Sequence, residues 1–513
     1  MSGADALSRR GALKAAAAAS LLTATRAQAL TDPRAANFIG VREDGVAVFK
    51  GIRYARTARF ARPVLEPLPT QLTRATMFGP VAPQRGLADT VQSEACQTLA
   101  IWTPDPRLSA RRPVMVYFHG GAYAGGTAFD PLTWGGKLAA AQDVVVVTVN
   151  HRLNAFGYSW LKPFGAGYAD SGNLGQLDLI AALRWVRANI AAFGGDPARV
   201  MVFGQSGGGA KIATLMAMPA AAGLFHAAAT MSGQQVVASG PGHAWARTQA
   251  LMARLKLAPS DVETLRTMDL VKLVEGLDAV DPIIGGAVYF GPVLDMTNLP
   301  RHPFWPDAAP QSLAIPMILG NTRDETRAFI DPRGPKLQGL AWDNLAERIA
   351  PEIKVDLDTA WVVDRYRTQY SDWSPERVFY AATTAGRSWP GQVIEADARA
   401  AAGAKPTWVY QLDRPSPLDP LRGAAHTDDI PYVFGTLDAP GSRSGRDAAA
   451  RKLSGEMMGA FAQAARTGNP GWSPYRLPSR ATMVFDVSSR VIDDPRRWER
   501  ELWSAAPYIQ PGS

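Results

Sequence analysis

Short apolar runs rich in β-branched residues recur along the chain, between longer segments that have helical periodicity. The clearest runs are 114–118, 144–149, 200–203, 315–319 and 408–412. None of them alternates strictly between apolar and polar residues, which is typical of parallel strands covered by helices on both faces. These five runs therefore predict a mostly parallel β-sheet at the centre of the fold.

The segment between the second and third runs has the pattern of a helix that connects two parallel strands. Apolar residues stand at positions 177, 180, 183, 186 and 190, and Gly194-Gly195-Asp196-Pro197 then interrupts the pattern. We expect a helix over 176–193 and hence a βαβ unit. Repetition of such units predicts an α/β fold with helices on both faces of the sheet.

The middle of the chain, about 245–310 and 341–400, mixes helical and loop patterns and has no strand-rich stretch of its own. We expect these insertions to cap the sheet and to shape a binding pocket. No internal repeat and no shift in composition marks a domain boundary. Residues 30–513 are therefore predicted to form a single domain.

The amino terminus has the features of an export signal. Arg9-Arg10 precedes an apolar run at 15–24, and Ala27-Gln28-Ala29 supplies small residues for a peptidase. We predict that residues 1–29 are a twin-arginine signal and that the mature protein is periplasmic or secreted. The alternative is a short amphipathic or anchoring helix. The run is shorter than the roughly 20 residues that span a bilayer, so we expect no stable membrane insertion.

Composition excludes several classes of protein. The 513 residues are 47% hydrophobic and 19% charged, which suits a compact enzyme. The formal charge of +8 is scattered along the chain, so we expect no nucleic-acid partner. Cys96 is the only cysteine and cannot form an intramolecular disulfide, and we expect a buried thiol rather than a nucleophile.

The candidate nucleophile lies in Gly204-Gln205-Ser206-Gly207-Gly208, directly after a predicted strand and before a helical segment. This G-x-S-x-G arrangement is typical of the elbow that presents a catalytic serine in α/β hydrolases, because the tight turn needs small neighbours. A glycine-rich turn without catalytic role is the alternative. The position between strand and helix favours Ser206 as the nucleophile.

A serine nucleophile needs a base and a group that orients the base. In this fold the chain order is serine, then acid, then histidine. Run 315–319 leads into Asp324 and Glu325, and His426 is the only histidine beyond them. The order selects His426 as the base and leaves the two carboxylates as alternatives.

The loop after run 114–118 contains His119-Gly120-Gly121-Ala122, whose small residues leave backbone N–H groups free to face a carbonyl oxygen. The backbone N–H of Gly207, next to the nucleophile, is a further donor. We expect an oxyanion hole from these groups, with His119 in a structural role rather than as a second base.

A series of motifs resembles the type B carboxylesterases, the family that includes para-nitrobenzyl esterases and cholinesterases. In chain order they are Gly51-Ile52-Arg53-Tyr54-Ala55, 96–104, the His119 loop, Asn150-His151-Arg152-Leu153, 172–208, Gly291-Pro292-Val293-Leu294-Asp295, the His426 loop with 430–435, and Arg466-Thr467-Gly468-Asn469-Pro470. The resemblance implies an α/β-hydrolase fold and hydrolysis of small carboxylic esters without a metal or organic cofactor.

The resemblance also assigns individual residues. It implies Glu325 rather than Asp324 as the acid, although Thr326 replaces the glycine of the family's K-D-E-G motif. The oxyanion donors become Gly121, Ala122 and Gly207. Ser232 matches a buried serine near the catalytic residues, and Cys96 matches one half of a family disulfide whose partner is absent here.

Two departures from the family bear on the substrate. Gln205 is neutral where the family often has glutamate, and the segment 81–96 lacks the tryptophan with which cholinesterases hold a quaternary ammonium. We therefore expect an uncharged or anionic ester and not a choline ester. Aromatic residues that are candidates for the pocket wall, with core packing as the alternative, are Trp134, Tyr289, Phe290, Trp305 and Trp389.

Two other functions stay open at this stage. The same catalytic residues are able to cleave an amide, a carbamate or a lactone, because the acyl-transfer chemistry is shared. An inactive binding or adhesion module belongs to a different class, but such relatives have lost a catalytic residue and this chain has all three. The pattern leaves the oligomeric state undetermined.

Overall fold

A computed structural model describes residues 32–87, 90–404, 406–510 and 512. Its centre is an eleven-stranded sheet. In chain order the strands are β1 (Val41–Glu43), β2 (Val46–Arg53), β3 (Thr98–Thr103), β4 (Arg112–Phe118), β5 (Val145–Val149), β6 (Gly195–Gln205), β7 (Ala227–Met231), β8 (Met317–Thr322), β9 (Thr407–Leu412), β10 (Ala481–Phe485) and β11 (Arg490–Asp493). The predicted segment 1–29 lies outside the described residues.

The spatial order of the sheet is β1-β2-β3-β5-β4-β6-β7-β8-β9-β10-β11. Strands β4 to β10 pair in parallel, and the remaining strands add antiparallel edges. Short strand pairs outside this sheet involve Arg34–Ala35, Phe38–Ile39, Thr73–Arg74, Ala55–Arg56 and Val64–Leu65. The predicted, mostly parallel central sheet is confirmed.

Fourteen α-helices are seen among the described residues. They are α1 (Gly136–Gln142), α2 (Asn154–Tyr158), α3 (Leu174–Asn189), α4 (Gly207–Leu215), α5 (Pro241–Arg254), α6 (Val262–Thr267), α7 (Leu270–Glu275), α8 (Leu345–Ile349), α9 (Thr359–Gln369), α10 (Pro375–Arg387), α11 (Trp389–Ala401), α12 (Ile430–Phe434), α13 (Ala448–Thr467) and α14 (Arg497–Trp503). None of them combines the length and apolar content needed to cross a membrane.

Helices cover both faces of the sheet. Side chains alternate between the faces along a strand, so Val114 and Val116 pack on one side and Met115 and Tyr117 on the other. The first face packs against α3 and α5, and the second packs against α1 and α13. With both faces covered, the central strands such as β4 and β5 are buried and largely apolar, as the sequence pattern indicated, while the edge strands β1 and β11 are partly exposed.

The insertions behave as predicted. The chain between β7 and β8 forms α5 to α7 and no further strand of the main sheet, and the region between β8 and β9 is also helical. Helices α8 to α10 and α14 bury a separate apolar cluster of their own. The insertion after β8 also brings the end of α10 toward the carboxyl edge of the sheet, where the candidate site lies.

The predicted boundaries were wrong in three places. Strand β8 begins at Met317 and not at residue 315, after Pro316, whose missing N–H suits the position before a strand. Strand β6 begins at Gly195, which pairs with Arg112 before the register shifts. The expected helix 176–193 is α3 followed by a 3₁₀ turn at Ile190–Phe193, because helix ends often tighten in this way.

Candidate active site

Five neighbouring strands, β4, β6, β7, β8 and β9, end at the same edge of the sheet. The predicted site residues that follow these strands are, in that order, Gly121 and Ala122, Ser206, Ser232, Glu325, and His426. In parallel α/β sheets this carboxyl edge is where ligands bind. Residues more than 300 positions apart in the chain therefore meet in one place.

Ser206 occupies the turn between β6 and α4. Its φ of 55° and ψ of −125° lie outside the regions that residues with a side chain usually adopt. Its backbone N–H donates to the Met231 carbonyl oxygen at 2.7 Å, which fixes the turn against β7. A Cβ on Gly204 would lie 2.6 Å from the carbonyl carbon of Gly208, so the small residues of the motif are required here.

The imidazole of His426 donates a hydrogen bond from Nδ1 to Glu325 Oε2. The other carboxylate oxygen accepts from Ser232 Oγ at 2.5 Å, from the Thr322 backbone N–H at 2.8 Å and from the Asn321 amide at 3.2 Å. Glu325 is fully buried and His426 nearly so. These bonds hold the carboxylate in one orientation, which in turn fixes the orientation of the imidazole.

Glu325 is suited to remain ionised. Burial by itself would raise the pKa of this carboxyl, but the imidazole of His426 and the hydrogen bonds from Ser232 and Thr322 outweigh burial and lower the pKa below its ordinary value. An ionised acceptor at Nδ1 keeps the proton on that nitrogen and leaves Nε2 as an acceptor.

His426 Nε2 accepts a hydrogen bond from the side-chain amide of Gln205 at 3.1 Å. Ser206 lines the same cavity as His426, but no hydrogen bond joins its Oγ to the imidazole in the part of the chain that is described. Catalytic hydrogen bonds of this kind are often long until substrate binds. Gln205 is therefore the residue bonded to Nε2 of the base in this structure, while Glu325 is bonded to Nδ1.

The three predicted oxyanion donors lie side by side. Gly121 and Ala122 have φ values of 84° and 53°, a conformation that turns the loop back on itself. A Cβ on Gly207 would overlap the Ala122 carbonyl, so the two backbones are in close contact. Within the described chain, none of the three N–H groups donates a hydrogen bond to another protein group. Ala122 and Gly207 line the cavity, whereas Gly121 lies next to this lining in the chain and is not part of it.

The sequence profile of the Carboxylesterase family matches residues 37–480. The chain belongs to this family. The expected resemblance and the expected α/β-hydrolase fold are both confirmed, and the protein is a serine carboxylesterase that hydrolyses carboxylic esters.

Relatives match this carboxylesterase over most of its length. It is 33% identical to the para-nitrobenzyl esterase of Bacillus subtilis strain 168, over 90% of this chain and 96% of that protein. It is 32% identical to a probable N-octanoylanthranilate hydrolase of Rhodococcus erythropolis, over 85% of this chain and 93% of that protein. The crystal structure of the Geobacillus stearothermophilus carboxylesterase EST55 matches with a TM-score of 0.80 and 34% identity, over 91% and 98% of the chains.

The cavity of the carboxylesterase beside Ser206 and His426 has a volume of about 150 Å³. Of the predicted wall residues only Tyr289 lines it. Trp305 and Trp389 line a second groove of about 620 Å³, while Trp134 packs edge-on against Trp102 and Phe290 is buried in the core. Core or groove packing therefore explains four of the five aromatic residues.

His119 and Cys96 have the structural surroundings that were expected. His119 is buried, donates from Nδ1 to the Gly120 carbonyl at 2.9 Å and stacks on His151. Burial, with a contribution from Lys211, lowers the pKa of His119 to about 3. Cys96 is fully buried, and burial raises the pKa of its thiol. Neither residue is among those that line the cavity.

Lys211 was missed by the sequence analysis. It lies in α4, is fully buried, and donates from Nζ to the carbonyl oxygens of His119 at 3.0 Å and Ala122 at 2.8 Å. These two carbonyls flank Gly120 and Gly121, so one ammonium anchors both ends of the oxyanion loop. Burial lowers the pKa of Lys211 to about 7. A lysine in an otherwise small and apolar helix was the signal available in the sequence.

We predict that Lys211→Met lowers kcat by about tenfold to a hundredfold, comparable to weakening one oxyanion donor. KM should change little, and affinity for a trifluoromethyl ketone, which forms an oxyanion when bound, should fall with kcat. Stability should fall by about 1–3 kcal/mol, because the carbonyl oxygens of His119 and Ala122 lose the ammonium that donates to both. Initial rates, inhibition constants and thermal unfolding measure these three effects.

Lys162→Met is the matched control for that variant. Lys162 also donates to a backbone carbonyl, that of Asp295 at 2.9 Å, but it does not line the cavity. Its substitution should leave kcat and inhibitor affinity close to the wild-type values. Equal losses in both lysine variants, or a loss of inhibitor affinity without change in kcat, would contradict the assigned role.

Proposed function

We propose that this carboxylesterase hydrolyses an uncharged or anionic carboxylic ester through an acyl-enzyme formed on Ser206. The observation that carries the proposal is the buried Glu325–His426 pair beside a serine in the elbow conformation. The family membership supports ester hydrolysis as such. The roles of the individual residues are inferred from this geometry.

In the first step Ser206 Oγ attacks the ester carbonyl carbon, and His426 Nε2 takes the hydroxyl proton. Glu325 stabilises the imidazolium that forms, because its carboxylate accepts from Nδ1 throughout. The amide of Gln205 has to release Nε2 for this transfer. It is a neutral group, so it can be displaced by the serine hydroxyl without separating an ion pair.

The negative charge that develops on the carbonyl oxygen is stabilised by the N–H groups of Gly121, Ala122 and Gly207. The C–O bond to the alcohol then breaks, and the imidazolium gives its proton to the leaving oxygen. In the second step a water molecule loses a proton to His426 and attacks the acyl carbon. The bond between that carbon and Ser206 Oγ then breaks as the imidazolium returns the proton to Oγ, which releases the acid and free Ser206.

Amide cleavage by the same residues is a second candidate. The relative from Rhodococcus erythropolis, at 32% identity, bears the name of a hydrolase of an N-acyl compound. A choline ester is disfavoured, since Gln205 is neutral and no Asp or Glu is among the described residues that line the cavity. The inactive-module alternative is disfavoured because Ser206 and His426 line one cavity and the buried carboxylate of Glu325 is bonded to His426 behind it.

The experiment that tests the proposed function compares wild type with Ser206→Ala for turnover of a chromogenic ester and for covalent labelling by a fluorophosphonate. Wild type should be labelled at Ser206, as peptide mass spectrometry would show. Labelling at another residue, or undiminished turnover by the variant, would refute the assignment.

We also propose that the chain is exported after residues 1–29 are recognised as a twin-arginine signal. Replacing Arg9 and Arg10 by lysine should leave the uncleaved precursor in the cytoplasm, because the pair is the recognised element. Cell fractionation with amino-terminal sequencing measures this. An unprocessed wild-type chain that stays in the cytoplasm would contradict the proposal, as would cleavage far from Ala29.

A further inference from the structure

Arg387, the last residue of α10, lines the same cavity as Ser206 and His426. Its guanidinium carbon lies 5.2 Å from the centre of the Phe329 ring, and that ring lies 4.9 Å from the His426 ring. One aromatic ring therefore separates a permanent positive charge from the base. Because Arg387 and Ser206 line one cavity, a ligand group that hydrogen-bonds to Arg387 would be part of the same molecule whose ester bond Ser206 attacks.

The rest of the cavity wall has no charge that would neutralise Arg387. Its polar side chains are amides and hydroxyls, those of Gln234, Gln510, Ser388, Tyr289 and Tyr508 among them, and no Asp or Glu lines it in the described chain. Glu325 is fully buried and its carboxylate is engaged by His426 and Ser232. The potential in the cavity is accordingly positive, which favours an anion.

The surroundings of Arg387 add to this positive potential. Its one carboxylate partner in the described structure is Glu352, which accepts from Nη1 at 3.4 Å and also pairs with Lys336. Lys354 lies close enough that, after burial, the charge of Arg387 contributes to lowering the pKa of its ammonium. Arg387 and Lys336 thus share one carboxylate, and Lys354 adds a third positive charge nearby. The guanidinium of Arg387 keeps unused N–H groups on a side chain that is 33% exposed.

We propose that Arg387 is an anion subsite and that the substrates are esters carrying a carboxylate a short chain away from the scissile bond, such as monoesters of dicarboxylic acids. The inference rests on the proposed function of Ser206 and narrows its substrate class. A planar guanidinium pairs with a carboxylate through two parallel hydrogen bonds, which gives both affinity and orientation. The carboxylate is part of either the acyl or the alcohol portion of the substrate.

The test compares each anionic ester with its neutral methyl ester. Monomethyl adipate carries its charge on the acyl side of the scissile bond, and dimethyl adipate is its neutral partner. Acetoxycaproate carries its charge on the alcohol side, and its methyl ester is the neutral partner. Wild type, Arg387→Met and Arg387→Lys are assayed by product release in proton NMR spectra. The quantity of interest is the ratio of kcat/KM for the anionic ester to kcat/KM for the neutral ester.

We expect Arg387→Met to lower that ratio by about tenfold to a hundredfold for at least one pair, as expected for loss of a charge-assisted hydrogen bond. The pair of esters whose ratio falls shows whether the carboxylate belongs to the acyl or to the alcohol portion of the substrate. Lysine should restore part of the ratio, since it keeps the charge but not the planar fork. Added salt should lower kcat/KM of the anionic ester more than that of the neutral ester.

Two further variants separate this role from a structural one. Arg377→Met removes the same charge from the same helix, at a residue that stacks on Trp373 away from the cavity, and should not change the ratio. Glu352→Gln removes the carboxylate that competes for Arg387 and should raise the ratio of kcat/KM for the anionic ester to that for the neutral ester. This increase is measured in a variant that keeps Arg387, so it tests the inference even if the Arg387 variants fold poorly.

An unchanged ratio in Arg387→Met for both pairs overturns the inference, and so does an equal loss on both members of each pair. The proposed function is judged separately, by whether the neutral esters are hydrolysed by wild type and not by Ser206→Ala. If wild type cleaves neutral esters and the ratio is the same in Arg387→Met, the proposed function stands and the anion subsite is refuted.

Discussion

The Ser206→Ala variant is expected to lose about 10⁴- to 10⁶-fold in kcat on a chromogenic ester, the loss typical of removing the nucleophile from a serine hydrolase. The reason is that the turn at φ 55° places Ser206 in the cavity beside His426, Gly207 and Ala122, whereas the neighbouring hydroxyl of Ser232 is bonded to Glu325. Alanine removes one oxygen and nothing else, so the fold should be preserved. Initial rates at saturating ester, with thermal unfolding of both proteins, measure the result.

Ser232→Ala is the matched control, because it makes the same substitution at a neighbouring serine. Ser232 Oγ donates to Glu325 Oε1 at 2.5 Å and thus acts through the acid. Its loss should slow turnover by about tenfold or less, in the range of one hydrogen bond, and should preserve fluorophosphonate labelling at Ser206. If Ser232→Ala abolished labelling while Ser206→Ala did not, the nucleophile would be misassigned.

Glu325→Gln is expected to lower kcat by about 10³- to 10⁴-fold, as in serine hydrolases whose orienting carboxylate becomes an amide. An amide is able to donate to Nδ1, which then favours the tautomer with the proton on Nε2. That nitrogen is the one that has to accept the proton of Ser206. The amide also lacks the negative charge that stabilises the imidazolium. Steady-state kinetics on the same ester measures the loss.

Asp324→Asn separates the two carboxylates that the sequence pattern left open. Asp324 Oδ2 accepts from the Ala424 backbone N–H at 3.0 Å, so this side chain supports the loop of His426 and does not contact the imidazole. We expect a loss below about tenfold together with lower thermal stability, because a hydrogen bond between elements is weakened. A loss in Asp324→Asn as large as that in Glu325→Gln would contradict the assignment of the acid.

Much of the fold could be predicted because its signals are local. Buried parallel strands are apolar along their whole length, so runs such as 114–118 and 408–412 were found within one residue or two of β4 and β9. The elbow was equally visible, since a tight turn between strand and helix requires the small residues around Ser206. The errors lie at element ends, as at Pro316, where pairing with a distant strand decides the boundary.

The wall of the cavity was predicted poorly. Aromatic side chains such as Trp134 and Phe290 are apolar whether they face a pocket or the core, and hydrophobicity does not distinguish the two. Their surroundings are supplied by other elements: Trp134 packs against Trp102, which is far from it in the chain. Only Tyr289 of the five candidates reaches the cavity beside Ser206.

The amino-acid order alone was enough to predict an α/β hydrolase with Ser206, a carboxylate after β8 and His426, because these depend on short motifs and on chain order. The contacts of Lys211 with the oxyanion loop, of Gln205 with His426, and of Arg387 with the cavity emerged only once the chain was folded. Each joins segments distant in sequence. Local periodicity reports which side of an element is buried, but the partner it meets there is set by how the strands and helices pack together.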